Sequence, residues 1–460
     1  MERLDPIDAL MMTAEVVSSP MHVGVLLTMT PPPGEDAGYA KRLYEQSVTD
    51  TAHVLDPRLR RRPYRGIDTG LLWVWRDCEV DIRHHVQRRT LPPGSGPEAL
   101  WTLVSELHGL RLNRTNPLWM AYLIDGLAGG RFALYIKVHH CVIDGVAGLR
   151  MIADSLSPDP QRRTMPQFFA GRTPVSSPQP ARLHASITRT VVTAVASAVG
   201  LGRRALAAQL GGHSAAAPFA APRTCFNTRL GPRRAVAGIS LERSRISAVR
   251  TAAGVTTNDV VTAAISGAVR VWLTERGELP DHSLVAICPV TVRGRDDDVS
   301  GDHGNRFGLG LCPLGTDLAD PAGRLMQIHA GMARVKHEVA ERGPGAMLVA
   351  LGPAIGPTVL LPLLPFDAKL PPSYNLPLSG VPGPPEVRYF NGARVDEIYP
   401  VSVVYDGMAL NVTSCSYADH ISLGFVADPD VVPDVAALAR QTERALTELE
   451  EAFGVRASKP

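Results

Sequence analysis

The sequence predicts a mixed α/β or α+β protein with two domains of comparable size. Its 460 residues are about three times the usual size of one domain. Strand-like apolar runs and amphipathic helical patterns occur on both sides of a segment rich in Pro, Ala, Ser and Gly. We therefore expect each half to form its own sheet and helices.

The first half ends with a strand that is followed directly by a helix. Residues 132–138 (FALYIKV) are an apolar run rich in aromatic and β-branched side chains, and the pattern over 146–156 is helical. We assign the chain to a first half at 1–160, a linker with an embedded helix near 186–210 at 161–222, and a second half at 223–460.

The second half opens with a capped amphipathic helix and closes with another. Apolar residues recur at helical spacing after Asn258 and Asp259, and Gly277 ends that pattern. The remaining predicted elements are a strand at 284–292, a hairpin of 408–417 with 421–427, and a helix over 434–453 before Gly454. These elements predict a mixed architecture for this half as well.

The composition excludes several classes of protein. Hydrophobic residues make up 45% of the chain and charged residues 20%, which is typical of a globular protein. The 47 basic and 45 acidic residues leave a net charge of +2, and only 5% of residues are aromatic, so we expect no nucleic-acid partner. The six cysteines form no CxxC pair, so they predict neither a zinc site nor a disulfide framework.

The N-terminus and the apolar segments indicate where the protein acts. Acidic residues precede any apolar run, unlike the order in a secretory signal, so we expect a cytoplasmic protein. Residues 190–201 are too short to span a membrane, and the uncharged residues 343–366 contain five prolines. We therefore expect no spanning helix. Shallow insertion of 343–366 into a lipid surface is one interpretation, and a place in the interior of the second half, along a substrate passage or in its core, is the other.

The most informative motif is HHCVIDG at residues 139–145. It stands where the apolar strand ends and the helix begins, a position that holds side chains firmly beside a cleft. The residues alone leave three interpretations open. Asp144 can cap the helix within an ordinary turn, the histidines can bind a metal, or one histidine can act as a base toward a substrate. Successive strand residues point in opposite directions, so only one histidine can face a substrate.

This heptapeptide resembles HHxxxDG, the active-site motif of the CoA-dependent acyltransferase superfamily, which includes chloramphenicol acetyltransferase and peptide-synthetase condensation domains. Over nearly its whole length, the chain resembles more specifically the bacterial wax ester synthase/diacylglycerol acyltransferase family. The matching segments are LDPIDA at 4–9, PMHVG at 20–24, NPLW at 116–119, HHCVIDG at 139–145, TNDV at 257–260, PVTVR at 289–293, GN at 304–305, VPGP at 381–384, LN at 410–411 and SY at 416–417. Their combination is far more specific than the heptapeptide alone.

The resemblance implies a fold and an activity. The fold would be two chloramphenicol-acetyltransferase-like domains with the active site in a tunnel between them. The activity would be transfer of a long-chain acyl group from acyl-CoA to diacylglycerol, which makes triacylglycerol. A fatty alcohol acceptor, giving a wax ester, is the alternative activity, and a catalytically silent lipid-binding protein is the alternative from another class. Acyl-CoA is then a co-substrate, and no cofactor or metal is expected.

The resemblance also implies roles for single residues. His140 would remove the proton of the acceptor hydroxyl as its oxygen attacks the thioester, without an acyl-enzyme. His139 would be structural, and Asp144 would support the loop through a cap or an ion pair, with Arg293 as the candidate partner. Substrate binding would involve Gly145, Asn258, Asp259, Arg293, Asn305, Asn375 and Ser379. For Asn258 and Asp259, capping of their own helix is the alternative.

Three local features modify this interpretation. Family members usually have Ser-Asn before VPGP, whereas this chain has Ser379 and Gly380, and Pro377 falls within the predicted strand. If the missing amide lines the pocket, acceptor preference or turnover differs here. A cluster of five arginines can be a solvated loop or can bind CoA phosphates or anionic lipid headgroups: Arg58, Arg60, Arg61, Arg62 and Arg65. We expect peripheral binding to the inner face of the cell membrane or to lipid droplets, where the acceptor is found.

Overall fold

The computed structural model describes residues 2–17, 19–36, 38–49, 55–171, 219–291, 307–342 and 371–455. These residues form a mixed α/β structure with two six-stranded sheets and one small hairpin, so the predicted fold class is confirmed. The predicted linker helix at 186–210 and the uncharged segment at 343–366 lie outside the described residues.

The first sheet consists mainly of strands from the first half of the chain. Its order is β11 (Tyr389–Phe390), β12 (Ala393–Val401), β1 (His22–Thr30), β6 (Phe132–His139), β5 (Trp119–Leu127) and β4 (Val86–Ser95). Neighbouring strands are antiparallel except β4 and β5, which are parallel. The predicted strand at 132–138 is thus confirmed as β6, near the centre of the sheet. A separate hairpin pairs β2 (Arg61–Tyr64) with β3 (Val74–Asp77).

The second sheet consists of strands that follow the predicted linker. Its order is β7 (Ala235–Glu242), β14 (His420–Ala427), β13 (Leu410–Tyr417), β10 (Leu376–Pro382), β8 (Val285–Thr291) and β9 (Phe307–Pro313). Strand β10 is parallel to both of its neighbours. The predicted hairpin is confirmed as β13 and β14, which pair antiparallel from Leu410 opposite Ala427 to Tyr417 opposite His420.

Nine α-helices occur in the described part of the chain: α1 (Pro6–Val17), α2 (Tyr39–Thr49), α3 (Ile82–His85), α4 (Pro97–Gly109), α5 (Gly145–Asp154), α6 (Arg243–Ala253), α7 (Thr257–Glu275), α8 (Pro321–Arg342) and α9 (Val435–Ala452). The three predicted helices in the described residues are confirmed as α5, α7 and α9. Helices α7 and α9 end shortly before Gly277 and Gly454, both in the left-handed region at φ 67°. That conformation favours glycine and stops the helix.

The chain crosses from one sheet to the other near its C-terminal end. Strands β11 and β12 follow the predicted linker, yet β12 pairs with β1 of the first sheet along its whole length. The next strand, β13, belongs to the second sheet. Sheet membership therefore crosses the predicted division into 1–160, 161–222 and 223–460, which stays a prediction. The segment between β12 and β13 joins the two sheets.

The two sheets meet backbone to backbone at Gly424. A Cβ atom at this position of β14 would lie 1.7 Å from the carbonyl oxygen of Pro400 in β12, so only glycine permits the approach. Buried side chains form one large core behind the second sheet and another on the face of the first sheet that bears α2 and α5, while α4 packs on the opposite face. The contact at Gly424 fixes the spacing of the sheets beside the cavity described below.

Candidate functional site

The two adjacent histidines occupy different environments, as extended backbone requires. His139 is the last residue of β6, lies opposite His22 of β1 and is fully buried. His140 follows the strand, and its amide N–H donates to the carbonyl of Met21 at 2.9 Å. The start of β1 therefore holds the backbone of both histidines in place.

His139 lies against the buried carboxylate of Glu15, a residue that the sequence did not indicate as part of the site. Its Nδ1 accepts the Cys141 amide N–H at 3.1 Å, so the neutral ring carries its proton on Nε2, 3.6 Å from Glu15 Oε2. Glu15 also accepts from Arg114 Nη2 at 2.6 Å and from the Met21 amide at 3.2 Å. Burial raises the pKa of Glu15, but His139 and Arg114 outweigh it and lower this pKa to about 2. Glu15 thus connects α1 to the side chain of His139 and to the amide of Met21, the residue whose carbonyl accepts the His140 N–H.

His140 lines a cavity of about 430 Å³ that both sheets enclose. Strands β1, β6 and β12, helix α5 and the 402–408 segment form part of its wall, and strands β8, β9, β10 and β13 contribute from the second sheet. Burial lowers the pKa of His140, against the opposing effects of its own carbonyl and of Asp144. A buried imidazole that stays unprotonated at neutral pH can accept a proton from a bound substrate.

Asp144 and Gly145 lie at the mouth of the same cavity. Asp144 is the N-cap of α5, and its Oδ1 accepts the Ala147 amide N–H at 2.7 Å. Both residues are exposed and line the cavity beside His140. The helix cap proposed for Asp144 is therefore present, while its candidate partner Arg293 lies outside the described residues.

A polar wall faces the cavity from the second sheet. The hydroxyls of Ser379 and Thr413 are 2.8 Å apart, and the Thr413 hydroxyl donates to Asn411 Oδ1 at 3.0 Å. Asn411 Nδ2 donates to the Val403 carbonyl at 2.8 Å. All three side chains line the cavity, whose other lining is mostly apolar. Ser379 was predicted from the resemblance, whereas Thr413 was missed because strand position alone does not show which face a threonine occupies.

Gly380 lies close to Ser414 at the edge of this wall. A Cβ atom there would lie 3.0 Å from Ser414 Oγ and 3.9 Å from Asn258 Oδ1. A side chain at this position, such as the asparagine that the resemblance implies, would therefore require the Ser414 hydroxyl to shift. Pro377 lies within β10 and also lines the cavity.

The other residues predicted to bind substrate lie away from the cavity lining or outside the described part of the chain. Asn375 is fully buried; it accepts from the Val285 amide at 2.9 Å and donates to the Pro222 carbonyl at 2.6 Å. Asn305, like Arg293, is outside the described residues. A substrate-binding role for these residues stays a prediction, and for Asn375 the structure shows partners within the protein only.

Asn258 and Asp259 lie at the start of α7. Thr256 is the N-cap, and it exchanges hydrogen bonds with Asp259 in a capping box. Asp259 also accepts from His329 Nδ1 of α8 at 2.8 Å. Asn258 is exposed, and neither residue is among the described residues that line the cavity. The capping interpretation accounts for the placement of Asp259, whose histidine partner comes from 70 residues further along the chain.

The arginine cluster is largely engaged by neighbouring side chains. Arg58 forms two side-chain hydrogen bonds with Asp56, and Asp144 adds to the effect of Asp56 in raising the pKa of Arg58. Arg61 pairs with Glu2 at 2.9 Å and stacks 4.5 Å over Trp75. Arg58 is thus the member of the cluster that is electrostatically linked to Asp144 at the cavity mouth.

Two features were not found in the described part of the chain. No three His, Cys, Asp or Glu side chains are grouped there as a metal site would require. None of the helices found in the described ranges is long and apolar enough to cross a membrane.

Comparisons with known proteins show the family of the chain. The family model for the wax ester synthase/diacylglycerol acyltransferase catalytic domain matches residues 4–261, and the model for the C-terminal domain of the same family matches 303–450. A Mycobacterium tuberculosis protein named for diacylglycerol O-acyltransferase activity is 38% identical over 98% of this chain and 100% of its own.

Solved structures show the same fold. The wax ester synthase/diacylglycerol acyltransferase from Marinobacter aquaeolei VT8 is 30% identical, with a TM-score of 0.76 over 98% of this chain and 100% of that one. The starter condensation domain of rhizomide synthetase, with C8-CoA, is only 15% identical, with a TM-score of 0.54 over 100% of this chain and 96% of that one. That second likeness indicates a shared fold only.

Proposed function

Because the chain belongs to the wax ester synthase/diacylglycerol acyltransferase family and is an acyltransferase, we propose that it transfers a long-chain acyl group from acyl-CoA to diacylglycerol. The product is triacylglycerol. The observation that carries the proposal is the placement of His140, a partly exposed imidazole whose pKa is lowered by desolvation, in a largely apolar cavity lined by both sheets. Such a cavity suits an aliphatic donor and an aliphatic acceptor.

In the proposed reaction, the unprotonated His140 ring takes the proton of the acceptor hydroxyl as that oxygen attacks the thioester carbonyl carbon. The C–S bond then breaks, and the imidazolium returns the proton to the departing thiolate. The imidazole is therefore regenerated in each cycle, and no bond to the protein forms. Hydrogen-bond donors around the carbonyl must stabilise the negative charge that develops on its oxygen. Within the described cavity lining, the protons of Ser379, Thr413 and Asn411 already go to partners in the protein, so the candidate donor is the Ser379 hydroxyl after it turns away from Thr413.

The surroundings of His140 support direct transfer over an acyl-enzyme. Cys141 is next in sequence, and Cys415 lines the cavity. Burial raises the pKa of the Cys141 thiol far above its ordinary value and that of Cys415 to about 12. Because the thiolate is the nucleophilic form, neither cysteine is prepared to accept an acyl group.

A fatty alcohol is the second candidate acceptor, giving a wax ester. The cavity supports this candidate because its polar wall can hold one hydroxyl while its apolar lining accepts either kind of chain. We further propose that the enzyme meets these acceptors at a lipid surface by peripheral binding. The apolar nature of the acceptors supports this last point.

The test is a transfer assay with labelled oleoyl-CoA, using dioleoylglycerol and a series of fatty alcohols as acceptors, followed by thin-layer separation. We expect labelled triacylglycerol from the unmodified protein. His140→Ala should lower kcat by about 10²-fold to 10⁴-fold without loss of fold, because a general base contributes about this much. His84→Ala is a matched control, since His84 is an exposed histidine outside the cavity lining. A folded His140→Ala protein with nearly full activity would contradict the mechanism.

A further inference from the structure

The hairpin of β2 and β3 carries exposed apolar side chains at its tip, residues 65–73. Ile67 is 92% exposed, Leu71 56% and Leu72 47%. Single exposed apolar residues are common on protein surfaces, but a contiguous apolar patch marks an interaction site. These three side chains lie within six residues of one turn, so they form such a patch.

Helix α1 extends the patch. Trp73 Nε1 donates to Thr13 Oγ1 at 3.0 Å, so the end of the tip lies against that turn of the helix. Leu10 and Val16 stand three residues before and after Thr13, on the same side of α1, and both are exposed. Among the residues that the structure describes, five of the eight exposed large hydrophobic side chains thus belong to this tip and this helix.

Backbone hydrogen bonds within the tip hold it in one conformation. The amides of Thr69 and Leu71 donate to the Gly66 carbonyl at 3.2 and 2.9 Å, and the Gly66 amide donates to the Thr69 hydroxyl at 3.1 Å. Leu71 has φ 61°, a left-handed conformation that is uncommon for leucine. Because backbone groups that leave water must be bonded internally, this pattern suits a tip that enters a lipid interface.

Arginines and aromatic rings surround the base of the tip. Residues 60–77 contain five arginines and only two aspartates. Four of the arginines lie over aromatic rings of the same hairpin, at 3.6–5.9 Å from the ring centroids: Arg61, Arg62, Arg65 and Arg76. Arg76 pairs with Asp68, and Arg61 pairs with Glu2. Within the described ranges, no carboxylate pairs with Arg62 or Arg65, so these two charges are available to an anionic partner.

The hairpin is joined directly to the mouth of the His140 cavity. Strand β2 follows a 3₁₀ turn at Pro57–Arg60, in which Arg58 Nη2 lies 3.9 Å from Met151 Sδ. Met151 lines the cavity. The four residues of β2 span about 14 Å between this turn and the tip, at about 3.4 Å each. A surface that holds the tip therefore lies close to the entrance of the cavity.

We infer that the 65–73 tip docks the enzyme on an anionic lipid surface. Ile67, Leu71 and Leu72 enter the boundary between headgroups and acyl chains, and the arginines behind them contact headgroup phosphates. The ring of Trp73 lies at the level of the headgroups, where tryptophan is enriched in membrane proteins. The inference rests on the proposed function, because an enzyme that acylates diacylglycerol must reach an acceptor dissolved in such a surface.

The first test removes the apolar side chains without changing charge. In the tip variant, Ile67→Ser is combined with Leu71→Asn, since asparagine adopts the left-handed conformation more readily than leucine. Leu318→Asn with Met326→Ser is the matched control, at two exposed residues of the second half. Each protein is floated with vesicles of equal parts phosphatidylcholine and phosphatidylglycerol. We expect the tip variant alone to lose at least tenfold in partition coefficient. Unchanged flotation of the tip variant, or equal losses in both variants, would overturn the inference.

The second test examines the charges. Arg62→Gln with Arg65→Gln should weaken binding to the same vesicles at least tenfold, and the unmodified protein should bind vesicles of phosphatidylcholine alone at least tenfold more weakly. Arg440→Gln with Arg444→Gln, at two exposed arginines of α9, is the control and should bind normally. Equal binding of the unmodified protein to both kinds of vesicle would contradict an anionic partner. A dimer in sedimentation velocity that only the tip variant loses, with unchanged flotation, would assign the surface to a second copy of the chain and overturn the inference.

Hydrogen exchange of the unmodified protein covers the case in which a variant fails to fold. Anionic vesicles should slow exchange in peptides that contain 65–73 and not in peptides that contain 318–326; slowing confined to other peptides would refute docking through the tip. Oleoyl transfer from oleoyl-CoA to 1-hexanol in solution or to dioleoylglycerol in vesicles separates the two proposals. Flotation through the tip without any transfer would refute the proposed function and retain the docking surface. Transfer by a protein that does not float would refute the docking surface alone.

Discussion

Glu15 offers a sharp test of how the histidine pair is held. Its carboxylate is 5% exposed and contacts Arg114, the Met21 amide and His139. Burial raises the pKa of Glu15, but His139 and Arg114 outweigh it and lower this pKa from 4.5 to about 2. Each pKa unit corresponds to about 1.4 kcal/mol, so the ionised form contributes about 3 kcal/mol to the stability of the folded protein at neutral pH.

Glu15→Gln should remove this contribution, because an amide carries no charge and its NH₂ group would face the donors of Arg114 and His139. We expect the free energy of unfolding at pH 7, measured by urea denaturation, to fall by about 3 kcal/mol. The difference in the free energy of unfolding between the unmodified protein and Glu15→Gln should persist above pH 4.5 and shrink as the pH falls toward 2. The reason is that a carboxyl group with a lowered pKa stabilises the folded protein only while it is ionised. Glu45→Gln, at an exposed ion pair with Lys41, is the control and should change stability by less than about 1 kcal/mol.

Turnover should fall as well, since Met21 links Glu15 to the backbone of His140. A displacement of about 1 Å can lower the rate of a catalysed step by about 100-fold. His139→Ala should also destabilise the protein, and its effect combined with Glu15→Gln should be less than additive because the two residues are in contact. A Glu15→Gln protein as stable as the unmodified one, or strictly additive losses, would refute the role of this cluster.

Three other predictions concern residues near the cavity. As the pH falls, kcat/KM should decrease with an apparent pKa below 6.5, because burial disfavours the protonated form of His140. An apparent pKa above 6.5 would contradict that environment. Asp144→Asn should retain the cap of α5, whereas Asp144→Ala should lose about 1 kcal/mol in chemical denaturation; equal stabilities would argue against capping. Burial lowers the pKa of Lys137 from 10.5 to about 7, so the unfolded chain binds more protons between these values and stability should rise with pH there. The Lys137→Met protein should lack the part of this increase in stability that Lys137 causes. Unfolding curves of both proteins at pH 7, 8.5 and 10 measure the difference.

The sequence alone determined the local elements and their ends. The α5 helix that follows the histidine pair, the α7 helix and the β13–β14 hairpin depend on contacts between residues close in the chain, and the apolar run of β6 is itself local. Such contacts are encoded in apolar spacing, caps and glycines, which can be read directly. The divergence of His139 and His140 followed from the geometry of extended backbone, and the structure places only His140 in the cavity.

The tertiary structure alone decided which distant residues complete the site. Glu15 meets His139 across more than 120 residues, and Thr413 reaches the cavity because β13 presents that face to it. Strand β12 lies in the first sheet although it follows the predicted linker. Side-chain alternation identifies the two faces of a strand but not its neighbours, so strand order and the cavity between the sheets emerge only when the sheets pack.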